Sequence, residues 1–266
     1  MHTNVNVLFD HLWQNYLEVT PSAKQVHEVL GKGQTLINDH VAFRTFNIEK
    51  VNLDKLAAHF EALGYVAKGD YDFEKKKLKA KHFEHEDPTL PKVFISELLV
   101  EEFPEDIQQI IHKMVDQLDA SLVTADNFLY SGAQWQVSYD EYLRLLQESE
   151  YAAWMSAYGY RANHFTVSIN HLGEDESIEN VNQVLKDAGF VLNASGGEIK
   201  GSPDVFLEQS STMADKTNVQ FSDQLAEIPS CFYEFARRYT LPNGEIYTGF
   251  VAASADKIFE STNVNA

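Results

Sequence analysis

The stretch HVAFRTF (residues 40–46) decides the fold prediction, because it is a short β-strand signal that opens on a histidine. It is rich in residues that favour strands, and its side chains alternate in character. A second stretch of the same kind, HFTVSIN (164–170), also opens on a histidine. The recurrence indicates that the chain contains two copies of one structural unit.

The sequence that follows each strand signal is also similar in the two copies. A predicted helix ends in each copy at a glycine, Gly64 or Gly189, which lies 24 or 25 residues after the opening histidine. Further strand signals follow, among them FVLNA (190–194) in the second copy, and each copy closes on an apolar strand with an internal acid. These acids are Glu97 in VFISELLV and Glu234 in CFYEFARR. This order of elements predicts a βαβββ unit in each half.

The predicted organisation is one α+β domain that spans residues 1–266. Module one covers about residues 36–102 and module two about residues 161–255. Apolar stripes at helical spacing predict two helices before module one and a helical connector over about residues 104–160.

The composition excludes several classes of function. The chain has 40 acidic and 21 basic residues, a net charge of −19, which argues against nucleic acid as a partner. Its single cysteine excludes a cysteine-rich zinc site, so any metal must be held by histidine and carboxylate. We find no signal peptide and no membrane span, which predicts a cytoplasmic protein. The sequence does not predict the oligomeric state.

Polar side chains in the middle of apolar strands are costly unless they are paired or coordinate a metal. The candidate ligands open and close the two copies: His40, Glu97, His164 and Glu234. The residues alone do not say which three or four bind. A strand histidine can instead be hydrogen-bonded in the core, and Glu234 can pair with Arg237 or Arg238. Two histidines and one carboxylate would leave three adjacent positions on Fe(II), two for a bidentate 2-oxo acid and one for O₂.

Three segments together resemble the DUF1338 family: NDHVAFRTF (38–46), YRANHFTVSIN (160–170) and FYEFARRY (232–239). The resemblance extends over about residues 5–255. It implies a fold of the vicinal-oxygen-chelate class, in which paired βαβββ modules form a metal-binding barrel. It also implies an Fe(II)-dependent enzyme of lysine breakdown that uses O₂ to convert 2-oxoadipate to 2-hydroxyglutarate and carbon dioxide.

The same resemblance implies roles for individual residues. His40, His164 and Glu234 match the metal ligands, and Arg44 matches a substrate-binding arginine. Zinc or nickel can replace Fe(II) in the purified protein. The alternative role of Arg44 is a salt bridge to Glu97 or another acid. We expect the remaining polar side chains of these strands to lie in the pocket or behind the ligands: Glu97, Thr166, Ser168 and Arg238.

Two other functions stay open at this point. The characterised lysine-pathway enzyme of the family is substantially longer than this chain, so the resemblance predicts the metal site more closely than the substrate. A barrel of this class also supports non-redox metal-dependent hydrolases, isomerases and lyases. A metabolite-binding protein without turnover is the third interpretation.

Overall fold

The computed structural model describes residues 1–173 and 176–262, and a curled sheet of eight strands dominates it. The described residues form ten strands, namely β1 (Asn38–Phe46), β2 (Val66–Phe73), β3 (Leu78–Glu84), β4 (Lys92–Leu98), β5 (Ala162–Ser168), β6 (Lys200–Ser202), β7 (Leu207–Ser211), β8 (Lys216–Gln220), β9 (Leu225–Pro229) and β10 (Phe232–Arg238). Strands β8 and β9 form a separate hairpin, and the other eight form the sheet.

The order of the strands in the sheet is β2-β3-β4-β1-β5-β10-β7-β6. Strands β1 and β5 lie at the centre and pair antiparallel. On one side β4 runs parallel to β1, and on the other side β10 runs parallel to β5. Both runs of four strands therefore pair in the same pattern when they are followed outward from the centre.

The helices lie around this sheet. They are α1 (Val5–Val19), α2 (Ser22–Gly31), α3 (Leu53–Glu61), α4 (Glu105–Gln117), α5 (Tyr139–Glu148), α6 (Glu150–Tyr158), α7 (Ile178–Asp187) and α8 (Ala252–Ile258). Helix α8 packs against the two edge strands, β2 and β6, and so closes the open side of the curled sheet. None of the helices within the described ranges is long and apolar enough to cross a membrane.

The central strands are buried on both faces, although polar residues alternate with apolar ones along them. Helix α1 covers one face, where Trp13 packs edge-on against Phe165 at 5.1 Å between ring centroids. We call this the outer face. The face that carries His40 is the inner face, and it positions the site described below.

The mixed α+β class, the two N-terminal helices and the helices of the connector are confirmed. One strand prediction is wrong: FVLNA (190–194) contributes only an isolated bridge at Leu192, and the short strand Lys200–Ser202 joins the sheet instead. The side chain of Asn193 accepts a hydrogen bond from the amide of Ser195 and so directs the chain into a turn. The hairpin of β8 and β9 was not predicted.

Candidate metal centre

Three side chains that could hold a metal ion project from neighbouring central strands. They are His40 on β1, His164 on β5 and Glu234 on β10. Strand pairing sets both His40 and Glu234 opposite Thr166 of β5. His164 lies two residues before Thr166 and therefore points to the same face. The sheet thus brings all three side chains together on its inner face.

The distances within this group suit one divalent ion. The ligand atoms all lie within 4.8 Å of one another. Nε2 of His164 is 3.2 Å from Oε2 of Glu234, and Nε2 of His40 is 3.6 Å from Oε1. Two ligands set at right angles around an ion at about 2.1 Å would lie about 3 Å apart. The three side chains are at most 5% exposed, so solvent does not compete for them.

Hydrogen bonds at Nδ1 leave Nε2 of each histidine directed at the carboxylate. Asp39 Oδ1 lies 2.8 Å from Nδ1 of His40, and because a carboxylate only accepts, the ring donates. Asn163 Oδ1 accepts from Nδ1 of His164 at 2.9 Å. In these tautomers the Nε2 lone pairs and the Glu234 oxygens are acceptors that face one another. Such a group is stabilised by a cation between them, so the donor set fits a metal ion.

The support behind His40 is ionic. Arg238 donates from Nε to Oδ2 of Asp39 at 2.7 Å and from Nη2 to Oδ1 at 2.9 Å. Its Nη1 donates to the carbonyls of Tyr247 and Gly249 at 3.1 and 2.7 Å. Burial alone would raise the pKa of Asp39, but Arg238 and the hydrogen bond from His40 hold it well below its usual range. Asp39 is therefore an anion that orients the His40 ring.

The support behind the second histidine is neutral. Asn163 is buried, and its Nδ2 has no hydrogen-bond partner among the described residues. The carboxylate has a neutral support too, because Gln209 on β7 donates its Nε2 to Oε1 of Glu234 at 2.6 Å. Within the described part of the chain, Oε1 of Gln209 is likewise a buried acceptor without a partner.

Burial and charge set the protonation states that a metal requires. Burial lowers the pKa of His164, and the opposing effect of Glu234 does not restore it. Burial by itself raises the pKa of Glu234, but His40, His164 and Gln209 bring it below its ordinary value. The site therefore offers a neutral imidazole beside a carboxylate, which are the ligand forms that bind a divalent ion.

An aromatic side chain from the C-terminal segment covers the site. The ring centroid of Phe250 lies 4.8 Å from that of His40, with the planes at 88°, and 4.9 Å from that of Phe94. The guanidinium of Arg238 lies 5.1 Å from the same ring. The amide of Phe250 donates to the hydroxyl of Tyr71 at 3.1 Å, which fixes this segment to β2.

Arg44 lies on the same face as His40, four residues along β1. Its side chain is 1% exposed, and Nη1 donates to Oε1 of Glu150 at 3.0 Å. The guanidinium packs over the rings of Tyr151 and Trp154, at 4.8 and 5.1 Å from their centroids. The ion pair considered as an alternative thus exists, and its partner is Glu150.

Glu97 is not brought into this group, which corrects its expected pocket role. It pairs in register with Thr45, whereas His40 and Arg44 project from the opposite face of β1. Its Oε2 accepts from the amide of Leu53 at 2.8 Å, at the first residue of α3. Burial raises the pKa of its carboxyl. Glu97 therefore stabilises a helix start on the outer face.

The structure places the other expected pocket residues as follows. The hydroxyl of Thr166 lies 3.0 Å from Nε2 of His40 and donates to it in the tautomer described. Ser168 lies on the same face but hydrogen-bonds to Nδ1 of His171 at 2.8 Å. Arg238 reaches His40 only through Asp39.

Four residues of the site were missed by the sequence analysis: Asp39, Asn163, Gln209 and Phe250. The first two carried a readable signal, because each precedes a histidine at the start of its strand, in NDH and ANH. Gln209 and Phe250 carried none. They reach the site only because β7 pairs with β10 and because the C-terminal segment folds back over the sheet.

The chain matches the model of the 2-oxoadipate dioxygenase/decarboxylase family over residues 3–245. A solved structure of a presumed hydrolase from Shewanella frigidimarina is 66% identical, with a TM-score of 0.93, and covers 95% of this chain and 100% of its own. The hydroxyglutarate synthase of Oryza sativa, solved in complex with 2-oxoadipate, is 36% identical, with a TM-score of 0.89, and covers 97% and 92%.

A more distant neighbour shows the fold alone. A presumed glyoxalase superfamily protein from Ralstonia eutropha is 20% identical, with a TM-score of 0.73, over 91% of this chain and 84% of its own. The chain therefore shares its fold with that protein.

Proposed function

The chain belongs to the 2-oxoadipate dioxygenase/decarboxylase family, and we propose from this premise that it oxidatively decarboxylates a small 2-oxo acid, 2-oxoadipate, to 2-hydroxyglutarate. The observation that carries the proposal is the buried cluster of His40, His164 and Glu234. The 36% identical synthase, which was solved with 2-oxoadipate, supports the choice of substrate.

We propose that the cluster holds Fe(II). His40, His164 and Glu234 would hold the ion, and Fe(II) there would supply the redox chemistry that a 2-oxo acid and O₂ need. The chain contributes the rest. Asp39 fixes the ring of His40, Gln209 holds Glu234, and the Phe250 ring keeps bulk water from the inner face. Zinc or nickel bound in place of iron would give an inactive protein.

Arg44 is the proposed contact for a carboxylate of the substrate. It lies on the same strand face as His40, and its charge is buried against Tyr151 and Trp154. A guanidinium in such a setting binds carboxylate strongly because little water competes with it. The acidic chain as a whole, with its net charge of −19, offers no such attraction. Thr166 and Ser168 line the same face and would face the substrate.

We also propose that the sheet consists of two βαβββ modules, about residues 36–102 and 161–255, joined by the helical connector. The equal pairing of β4 with β1 and of β10 with β5 supports this division. Each module then supplies one histidine, and only the second supplies the carboxylate. Placement in the cytoplasm and a role in lysine breakdown are proposals that rest on the family resemblance.

The direct test is oxygen consumption by purified protein that has been loaded with Fe(II) under anaerobic conditions. We expect O₂ uptake with 2-oxoadipate, release of one carbon dioxide per O₂, and formation of 2-hydroxyglutarate. The matched control is Glu234→Gln, which keeps the shape of the side chain and its contact with Gln209 but removes the charge. An absence of O₂ uptake with a full panel of 2-oxo acids would reject the proposal.

A second candidate is a metal-dependent hydrolase at the same site. The 66% identical protein from Shewanella frigidimarina, described as a presumed hydrolase, favours it. The same cluster could bind zinc and activate water for attack. Activity with zinc that persists without oxygen would select this function, and strict dependence on O₂ would exclude it.

A further inference from the structure

Arg44 is held in an unequal ion pair that lies between the inner face and solvent. The guanidinium is 1% exposed, whereas the carboxylate of its partner, Glu150, is 25% exposed. Glu150 is the first residue of α6, and its Oε1 also accepts from the hydroxyl of Thr262. The acid therefore stands on the solvent side of a buried cation.

A cavity of about 210 Å³ lies beside the carboxylate of this ion pair. Glu150 and Tyr151 line it, and so does the run of three lysines between β2 and β3, Lys75, Lys76 and Lys77. Lys77 is fixed in place, since Nζ donates to the carbonyl of Glu102 at 2.6 Å. In a chain with 40 acidic and 21 basic residues, three successive lysines form a local positive field.

We propose that Glu150 is a resident carboxylate that occupies Arg44 until a carboxylate of the substrate displaces it, and that the lysine-lined cavity is the route by which this anion approaches. The inference rests on the proposed function, because it takes an anionic 2-oxo acid as the ligand. Metal binding by the cluster of His40, His164 and Glu234 requires neither Glu150 nor the lysines.

The physical reason is the cost of placing two carboxylates at one buried cation. With Glu150 in place the pair is neutral, and the buried charge of Arg44 is compensated. A second anion beside that pair would meet the negative charge of Glu150 at short range. Exchange of one carboxylate for the other keeps the cation paired throughout, and the lysines offset the repulsion that the acidic surface imposes on the approaching anion.

The experiment is equilibrium binding of 2-oxoadipate to the 266-residue chain without O₂, measured by calorimetry in the metal-free form. Adipate, which lacks the keto group, serves as a second probe. Glu150→Gln should bind both acids at least about fivefold more tightly, because a competing charge has been removed. The matched control is Glu148→Gln: Glu148 lines the same cavity, but its carboxylate pairs with Arg144 at 3.0 Å. This control should bind as the unmodified protein does.

The approach route is tested by the rate of association in stopped flow at increasing salt. The double variant Lys75→Gln/Lys76→Gln should associate about threefold to tenfold more slowly at low salt and lose most of the salt dependence. Lys216→Gln, on the exposed hairpin strand β8, is the control and should change neither.

Two results would overturn the inference. Weaker binding by Glu150→Gln would show that Glu150 orients Arg44 in the complex rather than leaving it, and binding equal to that of Glu148→Gln would show that no exchange occurs. Thermal unfolding checks that each variant is folded. Because the binding assay involves no turnover, tight binding there combined with no O₂ uptake by the Fe(II)-loaded protein would reject the proposed reaction while leaving the exchange standing. No binding by any metal-free form would also overturn the exchange, and O₂ uptake by the Fe(II)-loaded protein would then decide the proposed reaction separately.

Discussion

The two halves of the sheet pair alike but carry different chemistry at corresponding positions. In each half, a strand runs parallel to the one that bears the histidine. On β10, Glu234 lies two residues beyond the residue that pairs with His164. On β4, the residue two beyond the partner of His40 is Phe94. Phe94 packs against Phe250 at 4.9 Å between ring centroids instead of binding a metal. A single carboxylate thus serves the histidines of both halves.

The supports of the two histidines differ in the same way. His40 is oriented by Asp39, which Arg238 clamps with two hydrogen bonds, whereas His164 is oriented by neutral Asn163. The first half therefore gives its histidine an ionic support, and the second half gives its histidine a neutral support whose amide nitrogen has no partner among the described residues. Residues at equivalent backbone positions can therefore create different electrostatic environments. A few sequence differences between the halves make the site asymmetric although the strand pairing is symmetric.

The largest effect should come from removing either histidine, because both halves are needed for one ion. His40→Ala and His164→Ala should each lower kcat/KM for the 2-oxo acid by more than about a thousandfold. Metal content measured after dialysis should fall in both. If one variant retained its metal and its rate, the site would belong to one half only.

The next largest effect tests the ionic support of the first half. Asp39→Asn keeps an acceptor for Nδ1 of His40 but leaves the buried Arg238 without its counter-ion. Breaking a buried pair in this way should lower the free energy of unfolding by about 3–5 kcal/mol. Loss of the charge behind the ring should also weaken metal binding about 10- to 100-fold, measured by competition with a chelator.

The mirror variant, Asn163→Asp, introduces the charged support into the second half. Among the described residues no arginine hydrogen-bonds to Asn163, so the metal-free protein should become less stable. Metal binding should tighten by up to about tenfold, because the imidazole becomes a stronger donor. Equal metal affinity of the two variants and the unmodified protein would show that the charge behind the ring is irrelevant.

The next prediction distinguishes the two halves by the pH dependence of protein stability. The pKa of His164 is lowered from 6.5, so between its folded pKa and 6.5 the unfolded chain binds more protons than the folded one. The stability of the metal-free protein should therefore fall as the pH drops below about 6.5. Asp39 has a pKa lowered from 3.8, so its contribution is present above that pH and is lost only as the pH falls further.

Urea unfolding followed from pH 8 to pH 3 should show these two ranges. His164→Gln should remove part of the dependence near pH 6, with the rest due to His27 and His59, whose pKa values burial also lowers. Asp39→Asn should remove part of the dependence below pH 4. A metal-free protein of constant stability between pH 8 and 5 would contradict the assignment of a neutral, buried His164.

The sequence carried the elements and the histidines because both depend on local signals. A strand that opens on a histidine, and a helix that ends at a glycine, can be recognised along the chain in both halves. The register between strands cannot, because it depends on which residues face each other across the sheet. Asp39 and Asn163 could have been predicted from the repeat, because each directly precedes the repeated histidine. The position of Phe250 could not, because it depends on the path of the C-terminal segment.

The same limit explains the error at Glu97, and it gives the smallest predicted effect. Both halves end in an apolar strand with an internal acid, but pairing with Thr45 places Glu97 on the outer face, where it accepts from the amide of Leu53. Glu97→Ala should remove this support for the start of α3 and lower the free energy of unfolding by about 1 kcal/mol. Metal content and kcat/KM should not change. Glu97→Gln retains an acceptor and should lower the free energy of unfolding by less. Loss of metal from either variant would instead show that Glu97 belongs to the site and that the two halves are symmetric.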